Sequence, residues 1–420
     1  DRGKRFRSTI EKGHLLNLLV NVTPLAPPLT GIGRYTVEIL TRVAMMHNQV
    51  ELRGFNDFRY FEPADMSKLL SDIGKPYLRS SRVEFILAER VLPLSKKVLK
   101  RVPGLRQLRA NQQNRLLAVA SRKMRDSVYW EPNFILGEVD APSMVTIHDL
   151  SHLRCADFHP TDRLRWLERG MQKTLDRADR IMTVSKFSKK EIETIFGIKS
   201  DRITVVNPGV AECFRSQYSQ VELDLLRKKY NLPQQYLLSV GTLEPRKNIK
   251  GLIKAYSRLP TALRKSFPLV LAGCQGWEHN ETDVLIRRLQ SRGELLKLGY
   301  VPQGELPQLY QAASAFVYIS LYEGFGMPVA EAMASGIPVI TSNCTSMPEV
   351  AAGFARLVAP NDSDSIVDGL KAVLEDLAGA SEVSQQAQQI SERYCWERSA
   401  QDVVNVATSL SVIGRSASHD

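Results

Sequence analysis

Short apolar runs alternate along this chain with longer stretches of helical periodicity. The first half contains runs at Leu15–Val22 and Ser127–Trp130, then three more at Met144–His148, Arg180–Val184 and Ile203–Asn207. This alternation is typical of parallel sheets whose strands are joined by crossover helices. It predicts an α/β fold of doubly wound parallel sheets. The second half repeats the pattern, with runs at Tyr236–Val240, Leu269–Ala272, Leu296–Val301, Ala315–Ile319 and Val339–Thr341.

The chain is long enough for two such sheets. One hydrophobic core rarely organises 420 residues, so two domains are expected. The turn-forming tripeptide Asn207-Pro208-Gly209 interrupts the alternation near the middle. We therefore predict an N-terminal domain at 13–208 after a basic extension at 1–12. A C-terminal domain at 209–395 and a final helical segment at 396–420 follow. Ligands of such folds bind at the carboxyl ends of the strands.

Composition narrows the class of protein. Hydrophobic residues make up 43% and charged residues 24% of the chain, which is typical of globular proteins. No apolar run approaches the ~20 residues of a membrane-spanning helix. The N-terminal residues also lack the apolar stretch and cleavage site of a signal peptide. Five scattered cysteines without a CxxC pair fit a reducing cytoplasm.

Positive charge is concentrated in one segment. The net charge is +11, and residues 79–125 hold thirteen Lys or Arg against Glu84 and Glu89, a surplus of 11. Such a surplus attracts nucleic acid or an anionic membrane surface, although it also fits a merely solvated face. Phe85 is the only aromatic residue in the segment. Stacking on nucleic-acid bases is therefore poorly supported.

The most informative motif lies at 321–336, after the apolar run at Ala315–Ile319. Glycines precede a predicted helix that has Pro328 at its start and Gly336 at its end. Free amides at a helix start form a ready site for an anion. Glu323 and Glu331 can face that site, and their carboxylates would accept hydrogen bonds from sugar or ribose hydroxyls. The structural alternative is that Glu331 only favours the helix dipole and Glu323 is a solvated loop residue.

Two further motifs follow predicted strands. Gly241 begins a loop that carries Arg246 and Lys247, and such adjacent cations suit a diphosphate. His148 and Asp149 end another run, where a neutral histidine can bind a sugar hydroxyl or act as a base. Surface cations and a satisfied structural histidine are the corresponding structural alternatives.

A glycine pair near the N-terminus is less specific. Gly31 and Gly33 precede a helix predicted from about Arg34 to Met46. A dinucleotide fingerprint would require glycine at position 36, which is Thr36, so an NAD-dependent oxidoreductase is disfavoured. The glycines still permit close approach of a phosphate or sugar. Asp362 and Asp364 are interpreted as a helix cap rather than a metal site.

Taken together, these motifs resemble the retaining glycosyltransferases of family four. The segment from Glu323 to Gly336, with its two glutamates eight residues apart, resembles the signature of that family. Gly241–Asn248 resembles its phosphate-binding loop, His148 its cleft histidine and Asn207-Pro208-Gly209 its interdomain connection. The resemblance covers about Leu15 to Trp396 and implies the GT-B fold. In that fold two Rossmann-like domains face each other across a cleft, and the last helix crosses back to the N-terminal domain.

The resemblance also implies a role for each motif. His148, Glu323, Arg246 and Lys247 would be catalytic. The cations would neutralise the donor diphosphate, His148 would bind the sugar from the opposite domain, and Glu331 would bind the ribose. No cofactor or metal is expected. The remaining donor contacts would come from Gly33, Gly241, Tyr300, Val301, Phe325, Gly326 and Met327.

Within the family, the amino-acid sequence around Trp130–Asn133, His148–Leu150 and 321–336 resembles that of bacterial mannosyltransferases of O-antigen and exopolysaccharide assembly. This similarity implies a GDP-mannose or related GDP-deoxysugar donor and a polyprenyl-diphosphate-linked saccharide acceptor. The basic segment 79–125 would then hold the enzyme on the inner face of the cytoplasmic membrane. Trp130 departs from the smaller or more polar residue expected there.

Several alternatives stay open at this level. The donor could be a UDP- or dTDP-sugar on the same fold. A non-catalytic GT-B protein could use the groove for membrane-surface binding or scaffolding, although the intact charged motifs argue against it. The acceptor linkage, the oligomeric state and the presence of further glycosyltransferase modules are not determined by the sequence.

Overall fold

The computed structural model describes residues 15–27, 29–56, 59–74, 115, 117, 127–242, 244–273 and 281–416. The predicted extension at 1–12 lies outside these residues. So does the basic segment 79–125, within which the amphipathic sequence predicts a helix in Leu105–Met124, except for the helical residues Arg115 and Leu117. Within the described ranges, every helix is too short or too polar to cross a bilayer.

The first sheet has seven strands in the order β3-β2-β1-β4-β5-β6-β7, and all but the edge strand β3 run parallel. Its central strands are buried along most of their length because helices cover both faces, as parallel sheets require. The strands are β1 (Leu16–Asn21), β2 (Val50–Phe55), β3 (Tyr60–Phe61), β4 (Ser127–Glu131), β5 (Ser143–Ile147), β6 (Arg180–Thr183) and β7 (Ile203–Val205).

Five α-helices of the described residues accompany this sheet. Two of them have a side-chain cap at the N-terminus: Thr30 accepts a hydrogen bond from the Gly33 amide, and Ser185 accepts one from Ser188. The helices are α1 (Gly31–Met45), α2 (Pro63–Gly74), α3 (Ser151–Arg154), α4 (Thr161–Arg177) and α5 (Lys186–Phe196).

The second sheet has six parallel strands in the order β10-β9-β8-β11-β12-β13. The order reverses between β8 and β11, so their carboxyl ends form the switch point where open α/β sheets bind ligands. The strands are β8 (Leu237–Val240), β9 (Leu269–Ala272), β10 (Leu295–Gly299), β11 (Ala315–Tyr318), β12 (Val339–Ser342) and β13 (Arg356–Val358).

The helices of the second half cover this sheet and end in one long helix. They are α6 (Gln220–Tyr230), α7 (Ile249–Ser257), α8 (Thr261–Ser266), α9 (Glu281–Ser291), α10 (Leu306–Gln311), α11 (Met327–Ala334), α12 (Met347–Ala351), α13 (Ser363–Glu375), α14 (Leu377–Ser391) and α15 (Trp396–Ser416).

Helix α15 crosses back to the first domain, as predicted. It packs mainly on α1 and also contacts β1 and β4. The Trp396 ring lies edge-on to Tyr35 at 6.0 Å, and Arg42 pairs with Glu397 at 2.6 Å. The linker after β7 runs beside this crossing, since Val210 donates to the Tyr394 carbonyl at 3.0 Å. A Cβ on Gly209 would collide with the Trp396 backbone.

The two-sheet α/β prediction is confirmed, with three differences in detail. The first helix begins at Gly31 rather than near Arg34, because Thr30 caps it. The sequence also predicts a helical tail from about Asp364 to Leu410, which the structure forms as three helices, α13 to α15. Strands β2, β3 and β13 were not predicted; β13 is a short edge strand with two exposed residues, which gives little apolar signal. The exact domain boundaries stay predictions.

Candidate active site at the interdomain cleft

Loops after two neighbouring strands form the centre of the site. The turn Pro245–Lys247 follows β8, and the loop 319–326 follows β11. These loops are joined directly, since the Leu321 amide donates to the Arg246 carbonyl at 2.9 Å, and the Ser320 hydroxyl lies within hydrogen-bond distance of the same carbonyl. The switch-point topology thus brings together two motifs that lie more than seventy residues apart.

Glu323 is the hub of a buried charged cluster. The residue is only 7% exposed. Arg246 pairs with one carboxylate oxygen at 2.9 Å and Lys247 with the other at 2.5 Å. The hydroxyls of Tyr318 and Ser320 each donate to the same carboxylate at 2.8 Å. Three of the predicted site residues, Glu323, Arg246 and Lys247, are therefore in direct contact.

The charges in this cluster support each other. Burial alone would raise the pKa of Glu323, but the Arg246 and Lys247 charges outweigh it and lower that pKa to about 2. Burial lowers the pKa of Lys247 despite its pairing with Glu323. For Arg246, burial is outweighed by Glu323 and Asp149, which raise its pKa. Glu244 lies at the margin of the cluster, 3.7 Å from the Arg246 guanidinium.

The start of α11 adds backbone donors beside this cluster. Gly326 precedes the helix with φ of 103°, a conformation that favours glycine, and Pro328 follows in its first turn. The first amides of the helix have no intrahelical acceptor. The Ser346 hydroxyl is within hydrogen-bond distance of the carbonyls of Glu323 and Phe325, at 2.9 and 2.8 Å, so the loop before the helix is fixed.

Glu331 lies on the second turn of α11 and is buried. The Tyr310 hydroxyl donates to its carboxylate at 3.1 Å. Burial raises the pKa of Glu331 to about 7, and the positive charge of Arg34 on α1 opposes this. Glu331 therefore faces the first domain, and it contacts the Tyr310 hydroxyl rather than the Glu323 cluster.

The first domain contributes His148 and Asp149, directly after β5. The His148 ring donates from Nε2 to the Pro132 carbonyl at 2.8 Å and lies edge-on to Tyr35 at 5.1 Å. Burial lowers the pKa of His148, so the ring is neutral at pH 7. Burial would raise the pKa of Asp149, but Arg246 of the second domain lowers it, which places Asp149 opposite the cation pair.

The remaining predicted residues, Gly241, Gly33, Tyr300 and Val301, lie in the loops and helix start that follow strands of the two sheets. Gly241 approaches Gly273 so closely that a Cβ on Gly273 would collide with the Gly241 carbonyl. The Gly33 amide is used in the Thr30 cap, and the residue packs on the Pro24 carbonyl. Val301 is buried in the core and Tyr300 is half-buried beside it, after β10.

Sequence reasoning missed the side chains that hold the charged residues in place. Tyr318 and Ser320 contact Glu323, and Tyr310 contacts Glu331. Tyr318 could have been found, because it is the last residue of a strand that points to the site. Ser346 gives no such signal, since it comes from a different loop. No cluster of three or more metal-binding side chains occurs among the described residues.

Solved structures with the same architecture place the fold in a class. The chain is similar to the sucrose-phosphate synthase of Thermosynechococcus elongatus, with a TM-score of 0.68 at 17% identity over 94% of this chain and 99% of that one. It is also similar to WaaG, a glycosyltransferase involved in lipopolysaccharide biosynthesis, with a TM-score of 0.63 at 15% identity over 94% and 100%. The chain therefore has the two-domain fold of these proteins, the GT-B fold.

Sequence comparison makes the assignment more specific. The model of glycosyltransferase family 4 matches residues 30–212, and that of glycosyl transferases group 1 matches residues 224–390. The O-antigen chain mannosyltransferase B of Escherichia coli is 36% identical over 391 residues, which cover 93% of this chain and 99% of that relative. RfbU, an O-antigen chain mannosyltransferase of Salmonella typhimurium, is 29% identical over 54% of this chain and 59% of RfbU. The chain therefore belongs to the glycosyltransferase family that includes this O-antigen chain mannosyltransferase B, with a family 4 domain followed by a group 1 domain.

Proposed function

We propose that this enzyme transfers mannose, or a related deoxysugar, from a GDP-sugar to a lipid-linked saccharide during synthesis of a bacterial surface polysaccharide. The similarity along nearly the whole chain to an O-antigen chain mannosyltransferase supports this choice of sugar and pathway. The observation that carries the chemistry is the buried cluster in which Glu323 holds Arg246 and Lys247 beside the start of α11.

The cation pair would bind the donor diphosphate. A guanidinium has five N–H donors and an ammonium three, so Arg246 and Lys247 can hold phosphate oxygens in addition to Glu323. Charge that develops on the leaving phosphate would meet two preorganised cations and the dipole of α11. We infer that these groups make a divalent metal unnecessary for leaving-group departure.

Residues on either side of the cation pair would bind the sugar and the nucleoside of the donor. Glu323 and the amides of Phe325, Gly326 and Met327 would contact the transferred sugar, and His148 would approach it from the first domain. Glu331 would accept hydrogen bonds from the ribose hydroxyls. Its raised pKa fits a buried carboxyl whose hydrogen-bond partner is the neutral Tyr310 hydroxyl. We propose that Gly33 and Gly241 lie against the donor diphosphate, and that Tyr300 and Val301 lie beside the nucleotide base.

We infer that the transfer retains the anomeric configuration, as the resemblance to the retaining glycosyltransferases of family four implies, and that it does so without a covalent intermediate on Glu323. The Glu323 carboxylate is bound by two cations and by two hydroxyl donors, which makes it a poor nucleophile. A front-face displacement in which the leaving phosphate takes the proton of the acceptor hydroxyl fits this site. Proton NMR of the anomeric signal in the product distinguishes retention from inversion.

We further propose that residues 79–125 bring the enzyme to an anionic membrane surface, where a polyprenyl-diphosphate-linked acceptor is available. Replacing Lys96, Lys97, Lys100 and Arg101 with Glu should reduce binding to anionic liposomes. Neutral liposomes serve as the control, because charge attraction falls when the lipid charge is removed. Equal binding of the variant and the wild type to anionic liposomes would contradict this assignment.

The donor assignment is tested by nucleotide selectivity. Melting temperatures are measured with GDP, UDP, dTDP and ADP, each with EDTA and with magnesium, since a ligand at ~100 times its Kd stabilises by roughly 2.7 kcal/mol. We expect a shift with GDP that survives EDTA, followed by turnover of GDP-mannose. A shift with UDP or dTDP alone would keep the site but replace the donor. Binding without turnover of any sugar nucleotide would favour a scaffolding role.

A further inference from the structure

The loop that carries Glu323 is held from both domains. Behind it, Ser346 of the second domain lies within hydrogen-bond distance of two carbonyls. In front, the Gly324 carbonyl accepts hydrogen bonds from Ser185 at 2.6 Å and Ser188 at 3.2 Å, both of the first domain. The two serines are fully buried. Gly324 has no room for a side chain, since a Cβ would meet the His148 carbonyl and lie 2.8 Å from the Asp149 Cβ.

Further contacts between the domains surround this one. The carboxylate of Glu349 on α12 accepts hydrogen bonds from the Lys186 and Phe187 amides at 2.9 and 3.1 Å, so it caps the start of α5 from the opposite domain. The Tyr322 hydroxyl accepts from the Leu150 amide at 3.1 Å and donates to the Glu191 carboxylate. All three contacts join the region of α5 and residue 150 either to the loop 319–326, here called the donor loop, or to α12, which packs beside that loop.

We propose that Ser185 and Ser188 are positioning residues for the transfer step, which the first domain supplies to the donor loop of the second. The inference rests on the proposed role of Glu323 in contacting the transferred sugar. A peptide unit is planar, so fixing the Gly324 carbonyl also fixes the direction of the Phe325 amide in the same unit. Glu323 precedes this unit directly. The hydroxyls therefore set the geometry on both sides of Gly324 when the domains meet.

The chemical consequence is specific. In the proposed site, the nucleotide contacts Arg246, Lys247 and Glu331, which belong to the second domain and do not touch the serines. Loss of the serine hydroxyls should therefore leave nucleotide binding intact. The reacting sugar depends on Glu323 and the Phe325 amide, and a misplacement of about 1 Å in such groups can cost about 100-fold in rate. The serine contacts should thus affect kcat and spare donor affinity.

The test is the double variant Ser185→Gly with Ser188→Ala. Glycine is chosen because it replaces a serine N-cap at a cost of only a few tenths of a kcal/mol, so α5 should persist. We expect kcat to fall at least tenfold while the GDP Kd and the donor KM stay within twofold of wild type. The matched control is Ser399→Ala, which removes a hydroxyl bonded to the Asn207 carbonyl at 2.6 Å at the other crossing between the domains. It should leave kcat unchanged.

A second variant and a second readout keep the proposal testable. Tyr322→Phe removes a neighbouring cross-domain hydroxyl without touching the α5 cap, and it should lower kcat in the same way. Hydrogen exchange over residues 320–327 should be faster in both variants than in the wild type, with no ligand present. Wild-type kcat in the serine variant, or a loss of GDP affinity equal to the loss of kcat, would overturn the inference. If no sugar nucleotide turns over even in the wild type, the proposed function fails, and unchanged exchange would then overturn this inference separately.

Discussion

The pKa values of the buried glutamates Glu323 and Glu131 are shifted in opposite directions, because the partners of the two carboxylates differ. Glu323 has two cations, and they lower its pKa to about 2 despite burial. Among the residues that the structure describes, Glu131 at the end of β4 has only neutral partners: the Asn21 side-chain amide at 2.9 Å, the Tyr129 hydroxyl at 2.7 Å and the Asn133 backbone amide at 3.0 Å. Burial raises its pKa to about 7, and these hydrogen bonds offset burial only in part.

The first prediction concerns Glu131. A carboxyl whose folded pKa exceeds its unfolded value stabilises the protein most at pH below the unfolded pKa, and this stability is lost as pH rises through the folded pKa. The window is therefore about pH 4.5 to 7. Glu131→Gln imitates the protonated form and should show a weaker decline. The free energy of unfolding of the variant relative to wild type should rise by about 2 kcal/mol between pH 5 and 7.

Urea denaturation at several pH values measures this difference. The surface substitution Glu392→Gln controls for the loss of one carboxylate at an exposed position. A variant whose stability runs parallel to wild type from pH 5 to 7 would show that Glu131 is ionised throughout and would contradict the prediction.

The second prediction concerns Tyr318, whose hydroxyl joins the two charges of the site. It accepts from Lys247 Nζ at 2.6 Å and donates to Glu323 at 2.8 Å. Tyr318→Phe keeps the charges of Lys247 and Glu323 but removes the hydroxyl that holds them in a fixed relative position. We therefore expect kcat/KM to fall about tenfold to 100-fold. Steady-state kinetics with the donor measure this. Tyr236→Phe is the control, because its hydroxyl bonds to the Leu309 carbonyl at the opposite edge of the sheet; an equal loss there would attribute the effect to general destabilisation.

At the scale of elements, the sequence predicts the site better than its surroundings. Arg246, Lys247 and Glu323 could be identified because each follows a buried strand, and strand ends at a switch point converge. The cross-domain contacts could not, since Ser185 and Gly324 are 139 residues apart and have no shared periodicity. The start of α1 was misplaced because the glycines suggested a loop, whereas the Thr30 cap places them inside the first turn.

Two glycines give the third prediction because their surroundings are opposite. Gly209 in the linker has no space for a Cβ, which would meet the backbone at Cys395 and Trp396. A Cβ added to Gly31 at the start of α1 would meet no neighbouring atom of the described residues within 4 Å. Gly209→Ala should destabilise the protein by about 1–3 kcal/mol through overpacking. Gly31→Ala should leave stability unchanged or raise it by up to about 1 kcal/mol.

Thermal unfolding of the two variants beside wild type tests the pair together. The comparison separates a crowded linker from a general intolerance of substitution at glycine. Equal melting temperatures for Gly209→Ala and Gly31→Ala would mean that the backbone around residue 209 accommodates a Cβ without loss of stability, and would contradict the prediction.

At the scale of the whole molecule, the two domains share one continuous core. A single hydrophobic cluster includes Tyr35 and Leu40 of α1, Val329 and Met333 of α11, and Trp396 of the crossing helix. The second domain has a further cluster on the other face of its sheet, and the first domain has another. Because side chains of both domains bury each other, neither domain can lose its fold without exposing part of the other.

This shared core leads to the last prediction, which concerns cooperativity. Calorimetry should show one main unfolding transition although the protein has two sheets, and GDP should move it as a whole, because a ligand bound to one domain stabilises everything coupled to that domain. Trp396→Ala removes a side chain that is 3% exposed and packs between the domains. It should destabilise by about 3–5 kcal/mol and separate the transition into two. Trp166→Ala, at a residue 45% exposed on α4, is the control and should leave a single transition. Two transitions in the wild type, with only one of them moved by GDP, would show that the crossing helix joins the domains without coupling their stability.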